Sequence, residues 1–476
     1  MPCRGVGEAM ASRRPRLGLI GRLLMAVLGS FLGLCAPRAE AGGIPLGPFE
    51  FYPSVSLQAG HDSNIFNQID EVRVADRYLF LRAPLVWQLP FHESVWDLSY
   101  IPGWNGYQEN NSLDGTTQEF GTRLFLAFSS GSTLEVLGSR LHDYLNTTAF
   151  DPGGEVSFGD SDFTLDTAAV AYYHLLSPRQ GFRIRTEYTA LHFDQTVAAS
   201  FVNYRDIRAT VSYVNSLGET TALFVDLVGA RQDQERTEIE IDEDRSARRA
   251  IQFGMERRFD RQDRARFHVG YEELTVANTD DAEFSGLVAR ATYGRLLGGD
   301  LRLDGNLIRE ATASVFNVNN FYVSNRLLVD LDWRPGSRFF YRLSVDLTRN
   351  GYPEEAQQFC LSAADPELGV QFDPSAPFDP LDTPCLVVDT DEPPNGLADE
   401  ESPASLLYQP EIIGVVRRDR QFRGRGAIGF QFSRTAAVEL GYEYLTRDSN
   451  MDPFDFTTGR LSLEFRFGWS PDRELI

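Results

Sequence analysis

Lysine is absent from this chain: all 45 basic residues are arginine. That excludes Schiff-base chemistry, a phosphate-binding P-loop lysine and a catalytic amine. Cationic residues are also the minority, at 45 against 68 Asp and Glu, for a formal charge of -23 among 476 residues. Such an excess of negative charge excludes nucleic acid as a partner, because phosphate contacts need a basic surface. Long apolar runs are missing as well. None approaches the roughly 20 residues of a membrane helix. The six histidines, His61, His92, His142, His174, His192 and His268, fall in no hydrolase motif and no metal-ligand spacing, so no enzyme and no cofactor is expected.

The N-terminal segment has the features of an export signal. Arg13, Arg14 and Arg16 precede a short apolar run from Leu23 to Cys35, followed by Ala39-Glu40-Ala41. A charged region, a run too short to span and an A-x-A site predict a cleaved signal peptide over 1–41 and a mature chain over 42–476. Leu34 is too large for the small residue that lipid attachment at Cys35 requires. Cleavage removes six Arg and two Glu, which takes the formal charge from -23 to -27.

Alternation dominates the remainder. In Leu461-Ser-Leu-Glu-Phe-Arg-Phe-Gly-Trp469 one side carries Leu461, Leu463, Phe465, Phe467 and Trp469, and the other carries Ser462, Glu464, Arg466 and Gly468. Side chains alternate across a strand, so this ribbon has an apolar face and a charged face, as the wall of a membrane barrel does. Residues 324–333 repeat the pattern, with Leu327, Val329, Leu331 and Trp333 against Arg326, Asp330 and Asp332. The next segment sets Phe339, Tyr341, Leu343, Val345 and Leu347 against Arg342, Ser344 and Asp346. Earlier, Arg183 and Arg185 alternate with Phe182 and Ile184, and Arg264 and Arg266 with Phe267 and Val269.

Connections alternate between short turns, such as 297–300 and 334–337, and longer polar stretches. The longer ones fall at about 61–76, 107–117, 147–162, 194–203, 232–247, 276–283, 312–320, 351–421 and 448–456. Nine long connections predict an all-β fold: one transmembrane antiparallel barrel of about eighteen strands, within a range of roughly 16 to 20. An even count puts both termini in the periplasm of a bacterial outer membrane. The soluble alternative, a large sandwich or propeller, is disfavoured because many segments reach 12 residues or more and no blade-like repeat is present.

Candidate site residues follow from the inward parity. Arg183, Arg185, Arg264, Arg266, Arg326, Asp330, Asp332, Arg342, Asp346, Glu464 and Arg466 are the predicted lumen-lining charges. They suit either rings that select hydrated solutes or pairs that brace the wall. Beyond residue 41 the only cysteines are Cys360 and Cys385, both in the acidic 351–421 connection. In an oxidising compartment two cysteines in one loop predict a disulfide staple. The same connection is the expected plug or lid. Asp389, Asp391, Asn395 and Asp399 resemble a calcium loop, but Pro393-Pro394 breaks the ligand spacing, so a solvated acidic loop is expected and no metal.

Residues 51–66, Phe-Tyr-Pro-Ser-Val-Ser-Leu-Gln-Ala-Gly-His-Asp-Ser-Asn-Ile-Phe, resemble the opening of the β-barrel porin type 2 family of exopolysaccharide-associated outer-membrane barrels. That family opens with a Pro-Ser-x-x-Leu strand, here Pro53, Ser54 and Leu57, and a turn matched here by Asp62, Ser63, Asn64, Ile65 and Phe66. His61 stands where the family more often has tyrosine. The resemblance implies an outer-membrane channel serving exopolysaccharide export or secretion, alongside polysaccharide-export machinery, and brings no catalytic residue. Its rivals are a general diffusion porin for small polar solutes and a closed barrel with a structural or surface-interaction role. All three readings imply outer-membrane lipid and lipopolysaccharide as surroundings and the barrel assembly machinery for insertion. The Asp62-Ser63-Asn64 segment itself reads most simply as a structural Asx turn.

Overall fold

Sustained period-two alternation obliges a strand to present one chemical surface to each side, and a sheet built of such strands must cover its apolar face and pair or close its edges. The computed structural model describes residues 43–67, 73–128, 131–143, 162–193, 203–235, 245–260, 263–277, 282–314, 321–336, 338–358, 411–450 and 454–469. Its strands are β1 (Ile44–Leu46), β2 (Phe49–Asp62), β3 (Asp76–Arg82), β4 (Leu85–Phe91), β5 (Ser94–Tyr107), β6 (Gly115–Phe128) and β7 (Ser132–Asp143). There follow β8 (Phe163–Ser177), β9 (Gln180–Phe193), β10 (Asn203–Ser216), β11 (Thr221–Glu235), β12 (Arg245–Arg258), β13 (Arg264–Ala277) and β14 (Ala282–Leu297). The last are β15 (Leu301–Ala313), β16 (Phe321–Trp333), β17 (Phe339–Gln358), β18 (Glu411–Ser433), β19 (Ala436–Ser449) and β20 (Phe456–Gly468).

All twenty belong to one antiparallel sheet that closes on itself as β20 pairs with β2, from Ser54 opposite Gly468 to Asp62 opposite Arg460. The wall has eighteen positions. β3 and β4 share one of them, each pairing with β2 on one side and β5 on the other. Their break falls at Ala83-Pro84, where Pro84 cannot donate to a ladder; its carbonyl accepts instead from the Ser54 amide at 2.8 Å. β1 lies on the same edge of β2 as β20, against Phe49–Phe51, and so adds no wall position. The predicted count of about eighteen is the observed one.

Turns follow the predicted rhythm. Gly298, Gly299 and Gly336 take φ of 65°, 88° and 98° in two of the short ones, a region that residues with a Cβ rarely adopt. The one notable difference in bounds concerns the longest connection. Residues 351–358 and 411–421 are strand, continuing β17 and β18, so the connection is shorter than 351–421. Tyr352 and Asp419 keep the inward parity of those strands, and Tyr352 Oη donates to Asp419 Oδ2 at 3.3 Å, which explains the extension.

The two faces differ as the alternation requires. Leu287, Leu307, Phe253, Ile428 and Leu463 stand outward and more than half exposed. On the opposite parity lie Asp226, Glu272, Asp346, Glu439 and Arg447, all buried. On β17 the outward apolar set runs from Phe339 to Leu347 before Arg349. Those eight steps span about 26 Å of strand, and tilt reduces the height to roughly 20 Å, close to the apolar band of a membrane barrel. An apolar surface this continuous is unsustainable in water.

The seam is locked at the end of the barrel that carries the long connections. Asp62 accepts from Arg460 Nε at 2.8 Å and NH2 at 2.6 Å, and from Thr458 Oγ1 at 2.7 Å. The Asn64 amide donates to Asp62 Oδ1 at 2.9 Å, an Asx turn, while Asn64 Nδ2 donates to the Thr457 carbonyl at 3.2 Å. Ser63 Oγ accepts from the Gly459 amide at 2.8 Å. The Asp62-Ser63-Asn64 segment therefore ties the first wall strand to the last. Asp62→Ala removes the carboxylate from a guanidinium that keeps some contact with water, so a loss of about 1–3 kcal/mol is expected. The check is the urea midpoint of the detergent-solubilised barrel.

Candidate functional site

The inward face is a lattice of charge, and one hairpin departs from the wall to enter it. β14 pairs with β15 only as far as Ala289 opposite Arg309, whereas β15 and β16 remain paired up to Ala313 opposite Phe321. β16 leaves β17 at Val323 opposite Gly351. Beyond those points the β15–β16 tip bends inward across the inner faces of β11 to β14. Gln234 on β11 donates to the Ser314 carbonyl at 3.0 Å, and Arg248 on β12 donates to the Ala311 carbonyl at 2.6 Å. Ala311 and Phe321 pack with Leu274 and Val276 of β13 in a small buried cluster flanked by Phe284 and Val323. Arg248 is backed by Glu272 at 3.6 Å. Apolar side chains facing the lumen are expensive in water, and here the hairpin covers them.

Three ionic groups line the inward face of β16 to β20. Near the short turns, Glu439 accepts from Arg342 at 3.0 Å, Arg466 at 2.8 Å and Arg425 at 3.2 Å. Arg466 also meets Glu464 at 3.0 Å, and Arg342 meets Asp332 at 3.5 Å, which Arg334 joins at 2.9 Å. In the middle, Arg326 Nε contacts both oxygens of Asp346, at 3.0 and 2.9 Å. Near the long connections, Arg417 lies against Asp419 at 2.7 Å and over the rings of Tyr352 and Phe454, at 4.6 and 3.5 Å from their centroids. Charges at this density need mutual pairing and stacking, since each left alone in a partly dehydrated site is costly.

On the other side of the barrel the contacts are gentler. Arg185 reaches Glu187 at 2.7 Å, and Arg183 donates to Ser212 at 3.4 Å. Arg266 Nε donates to His268 Nε2 at 2.7 Å, which leaves the His268 Nδ1 proton to face Asp226 at 3.4 Å. Arg266 also lies 4.8 Å over the Phe224 ring. Arg264 takes the same inward parity, opposite Arg258 on one side and Gly294 on the other.

The eleven predicted lumen charges thus share the inward parity. The structure brings together Arg326 with Asp346, Arg342 with Asp332, and Arg466 with Glu464. Asp330 stands opposite Asp304 and has no ion pair among the described residues. Glu439, Arg425, Arg248 and Glu272 were not among the predicted residues, although the parity rule applied to β12, β13, β18 and β19 finds each of them. Nothing in the pattern of 311–314 and 321–323 marks these strand ends as turning inward. Cys360, Cys385, Asp389, Asp391, Asn395 and Asp399, together with residues 1–41, lie outside the described residues. No group of three or more metal-ligating side chains occurs among the described residues.

No protein-family profile matches the sequence, and no curated relative does. Among solved structures, the chain is similar over 88% of its length to the siderophore receptor PirA from Pseudomonas aeruginosa, at 7% identity, 80% coverage of that chain and a TM-score of 0.40. OccK2 (OpdF) from the same organism is similar at 9% identity and a TM-score of 0.43, covering 88% of this chain and 98% of that one. OccAB3 from Acinetobacter baumannii gives 8% identity and a TM-score of 0.40, with 88% and 100% covered. Likenesses at that level carry no information about activity.

Proposed function

We propose that this chain is a bacterial outer-membrane channel through which hydrated polar solutes pass, with both termini in the periplasm and the long connections outside. The observation that carries the reading is the closed eighteen-position wall with an apolar outward face and a charged inward face, entered by the β15–β16 tip. A wall of this size encloses an aqueous interior unless something folds into it, and the inward ends of β15 and β16 narrow that interior. The arginine and carboxylate pairs give the inner surface fixed charges of both signs, which hold water and orient dipolar or charged solutes.

Reconstitution of the purified mature chain into planar bilayers tests this reading. Discrete conductance steps are expected; an inserted protein that conducts nothing contradicts it and favours the closed surface barrel. The finer reading, a conduit for exopolysaccharide working with export machinery, draws its support from residues 51–66. The structure uses Asp62, Ser63 and Asn64 of that segment to lock the seam, so a structural role accounts for them without a polysaccharide. Loss of secreted polysaccharide on deletion of the gene, restored by the intact gene, would favour the conduit over the diffusion channel.

A further inference from the structure

Outward-facing charge near the long connections is mostly compensated. Arg140 meets Asp166 at 3.4 Å, and Asp233 is shared by Arg231 at 2.9 Å and Arg245 at 3.6 Å. One row is different. Across four ladders Arg309 lies opposite Asn325, Asn325 opposite Arg349, Arg349 opposite Arg420, and Arg420 opposite Asp448. Arg349 and Arg420 are like charges in direct register, a destabilising placement unless an anion lies between them. Neither makes an ion pair with a carboxylate among the described residues. Arg309 is held in position by donating to the Leu287 carbonyl at 3.0 Å and to Asn325 Oδ1 at 2.7 Å, both neutral acceptors.

The inward bend of the β15–β16 tip begins at this row. Where the hairpin leaves the wall, the outer surface carries a recess of about 470 Å³ lined by Arg309, Val323, Asn325, Arg349 and Gly351. On its short-turn side the next outward row is apolar throughout: Leu307 opposite Leu327, Leu327 opposite Leu347, and Leu347 opposite Phe422. A cationic hollow therefore sits directly above an oily strip, on the side wall and away from the channel mouth. Amphiphiles with an anionic head have that charge distribution, and guanidinium forks match phosphate oxygens in geometry as well as sign.

We propose that this recess binds the phosphorylated head group of a lipid in the leaflet nearest the long connections, with the phosphate between Arg309 and Arg349 of the lining, Arg420 beside it in register with Arg349, and the acyl chains along Leu307, Leu327 and Leu347. A basic pocket at the height of the head groups selects anionic lipid in this way. The inference rests on the reading of the chain as a membrane barrel. It adds a lipid site that the channel itself does not require.

The test uses the full mature chain in zwitterionic nanodiscs doped with a bisphosphorylated lipid A or with the same lipid after removal of its phosphates, read by native mass spectrometry of retained lipid. Retention of the phosphorylated form is expected to exceed that of the dephosphorylated form by roughly tenfold. The double variant R349Q/R420Q should abolish that preference, while R140Q/R231Q, which removes compensated arginines, should leave it intact. Heat-modifiable migration on gels verifies that both variants fold. Equal retention of the two lipids overturns the proposal, as does an undiminished preference in R349Q/R420Q or an equal loss in R140Q/R231Q. Protection of Arg349 and Arg420 by inorganic phosphate with no lipid preference would identify a diffusible anion and equally reject the lipid. A chain that fails to enter the nanodiscs at all contradicts the membrane reading instead, so the two failures are distinguishable.

Discussion

Replacing Glu439 with glutamine is expected to destabilise the folded barrel by about 3 kcal/mol, the lower end of what breaking a buried ionic group costs. The carboxylate is 3% exposed and accepts from Arg342, Arg425 and Arg466, each of which retains partial access to water. That access is why the upper end of the range does not apply. A glutamine side chain keeps the shape but brings an amide donor into a ring of donors, leaves Arg425 without a carboxylate among the described residues, and leaves Arg342 and Arg466 with only Asp332 and Glu464. Arg342→Gln removes one of three donors and leaves the carboxylate paired, so its loss should be about 1.5 kcal/mol, the lower end for a hydrogen bond to a charged group. Urea unfolding of the two variants in the same detergent, with a common slope, gives the comparison. A Glu439→Gln loss no larger than that of Arg342→Gln would mean that water already screens the cluster and that Glu439 does not organise this stretch of wall.

Shortening the β15–β16 tip is expected to have the largest effect on passage. Replacing residues 311–323 by a two-residue Asn-Gly turn removes Ala311 and Ser314, which Arg248 and Gln234 hold across the inner face, and with them the buried cluster around Ala311 and Phe321. Two strands lie about 5 Å apart and carry side chains on both faces, so the strand ends 311–314 and 321–323 by themselves reduce the local cross-section. Single-channel conductance should rise roughly twofold or more, since a hydrated pore conducts in proportion to its narrowest area. Leu274 and Val276 become exposed to water, so Leu274→Ser and Val276→Ser can be added to keep the shortened barrel soluble in its lumen without restoring the constriction. An unchanged conductance would place the narrowest part of the path elsewhere.

The wall was legible from the sequence because its signal is redundant. Each strand repeats the same two-residue rule, so an error of a few residues in any boundary, as at 351–358 and 411–421, leaves the count of wall positions and the parity of Arg342 or Arg466 untouched. What the hairpin does was not legible. Ala311, Ala313, Phe321 and Val323 carry an alternation like that of any wall strand, and their burial depends on Leu274 and Val276 lying opposite across the lumen, a long-range fact with no local mark. The ion pairs sit between these cases: parity says that Glu439 and Arg342 both face inward, but they are 97 residues apart in sequence, and only the curvature of the closed sheet brings β17 and β19 into contact across β18. The family-like segment around Asp62 shows a further limit. Its residue types suit a turn, and the partner that gives the turn its purpose, Arg460, lies 398 residues away.

A spin-label scan through positions 461 to 466, with native cysteines removed and the protein in lipid bilayers, reads directly which side of β20 meets lipid and which meets water. Labels at 461, 463 and 465 should show high collision rates with oxygen dissolved in the acyl chains, and labels at 462, 464 and 466 high rates with a water-soluble nickel chelate, alternating with period two. Uniform access to the chelate along the strand, or low access to both probes at 461, 463 and 465, would contradict a barrel with lipid outside and water within.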